Sequence, residues 1–143
     1  MATDTAGNSA RVDPRQVLNT IKRTVLFGDD DATAMPIGNQ PSGNPLPQDA
    51  FVVKLMVDVR TAFNAATTNI LLIGTNSATF TNMCATGDVD LATIGVYEVT
   101  RGYGRSLFNS ADTGVYAIYA QGGTTATAGN AVITITYEGG HNS

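Results

Sequence analysis

From Ala131 to Tyr137 the chain alternates without a break. Ala131, Ile133, Ile135 and Tyr137 fall on one side of an extended backbone, and Val132, Thr134 and Thr136 on the other. A period of two built from β-branched and aromatic residues specifies a strand with one strongly apolar face. Such a face needs a second layer over it, so the rest of the chain must supply another sheet. Val115–Gln121 has the same character. The small polar residues between the two runs predict a hairpin over Asp112–Tyr137, with Gly122–Asn130 as its loop.

The same pattern recurs upstream. Ile21, Val25 and Phe27 alternate around Arg23, which predicts a strand over Thr20–Phe27. Asp13, Pro14 and Gln16 have the order of an N-cap, a first helical position and a capping-box partner. In Phe51–Arg60 the residues Phe51, Val53, Leu55, Val57 and Val59 form one apolar face, which predicts a central strand. Asn69–Gly74 is wholly apolar after its first residue and predicts a short strand covered on both sides. Ser77–Cys84 predicts one helical turn with Phe80, Met83 and Cys84 inward. Leu91–Thr100 predicts two short strands or one bent at Gly95, and Leu107–Phe108 another. Seven or eight strands with regular turn signals describe an all-β sandwich or barrel.

Between Gly28 and Asp49 the pattern stops. Pro36, Pro41, Pro45 and Pro47, with Gly38 and Gly43, exclude a helix and a central strand there. The segment either folds against the domain's own surface or extends as an arm, at about 3.1 Å per residue in a polyproline-like form. The boundaries are thus residues 1–49 for an N-terminal arm, first strand and Pro-rich loop, and 50–143 for the β-sandwich, within a single domain of 143 residues.

Composition narrows the function. Charged residues are 14% of the chain and the formal net charge is −4, which argues against the basic patch of a nucleic-acid binder. The polar N-terminus lacks a signal peptide's apolar run, and no apolar stretch is long enough to span a bilayer. The single cysteine, Cys84, rules out an internal disulfide. The single histidine, His141, lies in a glycine-flanked tail that cannot hold a general base in place. One Cys and one His do not make a zinc site. No cofactor is expected and an enzyme is not. Asp29, Asp30 and Asp31 are consecutive, so their carboxylates cannot converge on one calcium ion, and they read as a solvated turn. Asp88 and Asp90 share a face if extended and read the same way. Arg101-Gly102-Tyr103-Gly104-Arg105 presents two guanidiniums and a tyrosine from one glycine turn. These are the residue types that anchor protein interfaces.

In order along the chain come Gly43-Asn44-Pro45-Leu46-Pro47, the strand Phe51–Val59, Thr61-Ala62-Phe63-Asn64, the strand Asn69–Gly74, Gly87–Leu91, the strand Asp112–Ala120, Thr125-Ala126-Thr127-Ala128-Gly129 and Val132–Tyr137. Over about Pro45 to Glu138 this resembles the small jelly-roll head proteins of tailed bacteriophages, the decoration (cement) proteins and head-fibre modules. The resemblance implies an eight-stranded jelly-roll β-sandwich with an irregular N-terminal arm. It implies a homodimer or homotrimer on the exterior of an icosahedral head, clamping neighbouring major capsid protein subunits, made in the bacterial host cytoplasm. It offers no catalytic residues, and the charge and hydropathy above lead to the expectation of no nucleic-acid and no membrane partner. Arg11, Arg15, Arg101, Tyr103 and Arg105 are the expected capsid or inter-subunit contacts. The alternative is a head-fibre or tail module that binds host surface glycan through exposed tyrosines. A more distant alternative is a bacterial binding protein outside any virus.

Overall fold

A computed structural model describes residues 18–29, 34–38, 46, 50–75, 80–100 and 113–139. Seven strands appear in this order: β1 (Leu18–Leu26), β2 (Met35–Pro36), β3 (Ala50–Thr61), β4 (Thr68–Gly74), β5 (Gly95–Val99), β6 (Tyr116–Gly122) and β7 (Asn130–Gly139). They form two antiparallel sheets, one in the order β1-β7-β3-β5 and one in the order β2-β6-β4. Among the described residues the only helical turn is a 3-10 turn, Phe27–Asp29. No helix of the described residues is long and apolar enough to cross a membrane.

The two sheets share one apolar core. Val25, Leu55, Val57, Val59, Ile133 and Ile135 from the larger sheet meet Met35, Leu71, Ile73, Ala117 and Tyr119 from the smaller. The buried residues of β7 are the alternating set Ala131, Ile133, Ile135 and Tyr137, as its period of two predicts. β7 pairs with β1 from Leu18↔Glu138 to Leu26↔Asn130 and with β3 on its other side. It is therefore the best-connected strand of the molecule.

That position overturns the expected C-terminal hairpin. Both edges of β7 are occupied by β1 and β3, so β6 has no place beside it. β6 pairs with β4 and β2 in the opposite sheet, and the chain passes from one sheet to the other between Gly122 and Asn130. Both strands still turn their apolar faces inward, so each alternation was real while the pairing was not.

The apolar face of β3 also differs from expectation. Its register against β7 shifts between Val52 and Lys54 and again between Val59 and Thr61. A bulge adds one residue to one strand and reverses the inside-outside phase beyond it. Ala50 and Val52 are buried before the shift and Leu55, Val57 and Val59 after it, whereas Val53 is exposed and Phe51 half-buried.

β4 is fully covered on one face rather than on both. Leu71 and Ile73 are buried, and Ile70 and Leu72 are half-buried. Its free edge is met by Met83 and Cys84, which exchange backbone hydrogen bonds with Ile73. This extended bridge replaces the helical turn expected at Ser77–Cys84, of which residues 80–84 are described. Leu91–Thr100 yields one strand, and Leu107–Phe108 lies outside the described residues. Within the proline-rich segment, Met35–Pro36 pairs with β6, Ile37 is fully buried and Leu46 bridges Thr113. Pro36 is tolerated because β2 is an edge, where a missing N–H breaks no ladder. The described parts of this segment thus lie against the domain itself. The helix start expected at Asp13 is outside the described residues.

Candidate interaction surface

Arg11, Arg15, Arg101, Tyr103 and Arg105 all lie outside the described residues, as do Asp30, Asp31 and His141. Three of the described acidic residues, Asp29, Asp88 and Asp90, serve their own turns. Asp29 accepts a hydrogen bond from the Leu26 amide at 2.8 Å and closes the 3-10 turn. Asp88 accepts from the Ala85 amide at 2.9 Å. Asp90 accepts from the Ala92 amide at 3.0 Å and from the Thr93 hydroxyl at 2.7 Å. Among the described residues no three His, Cys, Asp or Glu side chains gather as a metal site would require.

One end of the molecule is rigidly built. The loop at residues 62–67 joins β3 to β4, and the crossing at 123–129 joins β6 to β7. Asn64 links them: its Oδ1 accepts from the amides of Thr127 at 2.8 Å and Ala128 at 3.1 Å, and its Nδ2 donates to Thr127 Oγ1 at 3.0 Å. Gln121 Oε1 accepts from the Ala126 amide at 2.8 Å. Asn69 closes its own loop, accepting from the Ala65 amide and donating to the Ala65 carbonyl, both at 3.2 Å. The Tyr119 hydroxyl donates to Asn69 Oδ1 at 3.0 Å, so a buried phenol ties the core to the loop. Beneath the loops, Phe63 and Tyr119 pack as tilted rings with centroids 4.9 Å apart. Gly129 lies against the Phe63 ring where no side chain would fit. The exposed rim, Asn64, Ala66, Thr67, Thr124, Thr125 and Thr127, carries no charge. A rim held this way loses little conformational entropy on contact, which favours binding a surface. No local motif marked Asn64, whose partners lie more than sixty positions away.

Two open grooves flank the Gly87 turn. One, about 360 Å³, is lined by residues that include Asn69, Ile70, Val89 and Asp90. The other, about 320 Å³, is lined by Gly87, Asp88, Glu98, Val99 and Thr100. Among the described residues, neither lining contains a serine, cysteine, lysine or histidine. The described tyrosines are engaged in the fold. Tyr119 and Tyr137 are buried, Tyr116 packs on Phe80 with centroids 5.3 Å apart, and the Tyr97 hydroxyl donates to the Thr93 carbonyl at 3.0 Å. Burial raises the Tyr137 pKa above its ordinary value of 10.0.

The outer sheet faces differ in chemistry. That of the larger sheet carries Lys22, Lys54, Asp58, Arg60, Glu98 and Glu138. Arg60 Nε pairs with Asp58 at 2.9 Å there, an exposed ion pair. That of the smaller sheet carries Ile70, Leu72, Tyr116, Ile118 and Ala120, all half-buried. On the edge strand β5 and the turn before it, Val96 and Ile94 are 60% and 65% exposed, the highest values among the exposed large apolar side chains. The sequence marked Gly95 as a break or bend, but the exposure of Val96 and Ile94 depends on which strands flank β5.

No family model matches the chain, and no curated protein matches it. Two solved structures contain chains similar in fold. One is a chain of the Cyanophage Pam1 capsid asymmetric unit, with 19% identity over 96% of this chain and 99% of that one and a TM-score of 0.62. The other belongs to the capsid of Ralstonia phage GP4, with 19% identity over 100% of this chain and 91% of that one and a TM-score of 0.62.

Proposed function

We propose that this chain is a virion structural protein of a tailed bacteriophage, a decoration or cement protein on the exterior of the icosahedral head that clamps neighbouring major capsid protein subunits. The observation that carries this reading is the end-to-end likeness to chains in two phage capsid structures. The likeness runs over 96% and 100% of this chain and over 99% and 91% of those chains, so it is not confined to one part of either.

A jelly-roll reading of the topology supports the same conclusion. If the Met83–Cys84 bridge beside β4 is counted as a strand, there are eight, arranged as first-eighth-third-sixth and second-seventh-fourth-fifth. That is two sheets of four wrapped as paired Greek keys. The clamp is assigned to the arm that precedes Leu18, with Arg11 and Arg15, and to the Arg101–Tyr103–Arg105 turn. The uncharged, latched loop end supplies a rigid footing. A small homo-oligomer that makes two or three weak contacts at once binds far more tightly than any one of them. The engaged tyrosines lend no support to the glycan-binding alternative.

The test is co-sedimentation of the purified protein with undecorated capsids, with capsid melting followed alongside. Binding at micromolar concentration and a higher capsid melting temperature are expected. Absence of binding at that concentration overturns the proposal.

A further inference from the structure

Every sheet has edges, and unpaired edge backbone is a template for another strand unless something blocks it. Among the described residues, three of the four sheet edges are blocked or minimal. β1 carries Lys22 and Arg23, the Gly38 amide donates to the Lys22 carbonyl at 3.3 Å, and the Arg23 guanidinium donates to the Pro36 carbonyl at 3.3 Å. β4 is met by Cys84. β2 has two residues, one of them proline. β5 differs: it pairs with β3 on one side, and from Gly95 to Glu98 its other side meets no strand among the described residues. It has no lysine and no proline, and it displays Val96, with Ile94 just before it.

We infer that the β5 edge is a self-association surface, at which two copies of the chain pair antiparallel about a two-fold axis through Val96. The residue pattern selects both the partner and the register. A two-fold arrangement of identical strands is isologous, so one short edge supplies both halves of the contact. Centred on Val96, the pairing sets Val96 against its symmetry mate, Ile94 against Glu98 and Gly95 against Tyr97. Gly95 has no side chain, so it meets Tyr97 of the second copy without a side-chain clash. Centred one residue later, the two Glu98 carboxylates become diagonal neighbours at about 7–8 Å and repel. The Val96-centred pairing keeps them apart and covers both exposed apolar side chains.

The result joins two larger sheets into one continuous sheet across the dimer. Two short edges of this kind cover less than the roughly 1,200–2,000 Å² typical of a stable complex, so the pair is weak when free and strengthens where copies are held side by side. The inference rests on the oligomer in the proposed function but not on capsid binding, and it is tested without capsids.

The experiment compares Val96→Cys with Lys54→Cys, an exposed control on β3 of the same sheet. Cys84 is buried, so each variant has one accessible thiol. Across a two-fold the Val96 Cα atoms lie about 4.5–5.5 Å apart, within disulfide reach. Mild oxidation of the purified proteins should give roughly tenfold more cross-linked dimer from Val96→Cys than from the control, since pairing raises the effective thiol concentration. Equal yields overturn the inference. Val96→Lys, at an exposed site that leaves the fold intact by melting, should weaken self-association in sedimentation equilibrium; association as strong as that of the unaltered protein also overturns it. Cross-linking without capsid binding would refute the capsid role alone, and capsid binding without cross-linking would refute the β5 dimer alone.

Discussion

Gly129→Ala should strongly destabilise the protein. Gly129 has φ +153° and lies directly over the ring of Phe63. An added Cβ would stand 2.6 Å from Cγ and 2.8 Å from Cε2 of that ring, and closer still to Cδ2. The ring cannot retreat, because it is 1% exposed and packed against Tyr119. Overpacking of this kind costs about 1–3 kcal/mol. Holding a non-glycine residue at that φ adds about 1–3 kcal/mol. The middle of the combined range, about 4 kcal/mol, is a large share of the roughly 5–15 kcal/mol that stabilises a domain. At this chain length it corresponds to a fall in Tm of roughly 12 °C, readable by calorimetry. Phe63→Leu removes the ring edge, so in the double variant the two losses should fall short of their sum by at least about 1 kcal/mol. A Gly129→Ala protein melting within about 3 °C of the parent, or strict additivity with Phe63→Leu, would refute the argument.

Two further outcomes follow from the same structure. Val52→Thr should cost about 1–3 kcal/mol in urea unfolding, because it buries a hydroxyl, whereas Val53→Thr at the exposed bulge should stay within about 0.5 kcal/mol. Equal losses would mean that the register of β3 does not shift there. Burial raises the pKa of Tyr137, so its neutral form is favoured in the folded state; that stability is complete below the unfolded pKa of about 10 and declines as pH rises through the folded value. Stability measured from pH 8 to 11 should therefore fall less steeply in Tyr137→Phe, and identical slopes would remove Tyr137 as a cause.

Strand positions were legible in the sequence because side-chain alternation is a local property. β1 and β7 could be read from their apolar residues, and the core residues of β7 were those its pattern named. What the sequence could not carry was partnership. β6 and β7 have the composition of a hairpin, yet β7 lies between β1 and β3, and no local signal records that competition. An inserted residue leaves composition unchanged, so the phase reversal at Val53 was hidden in an apparently unbroken pattern. β2 was hidden by Pro36, whose meaning depends on whether the strand is an edge. At the loop end, Asn64 is an ordinary loop asparagine until the fold brings Thr127 to it. The arginines and tyrosine expected as contacts, Arg11, Arg15, Arg101, Tyr103 and Arg105, lie outside the described residues and remain a proposal.

The central place of β7 also bears on how the chain is made. Synthesis runs from β1 to β7, and Leu18 finds its register only opposite Glu138. β3 waits for the same strand on one of its sides. Until β7 has left the ribosome, a nascent chain cannot complete its larger sheet. Non-local closure of this kind is slow, on the order of milliseconds to seconds. Until β7 arrives, the inner edges of β1 and β3 stand open to any neighbouring copy on the same message, so translation spacing and chaperone occupancy would govern the yield of folded protein.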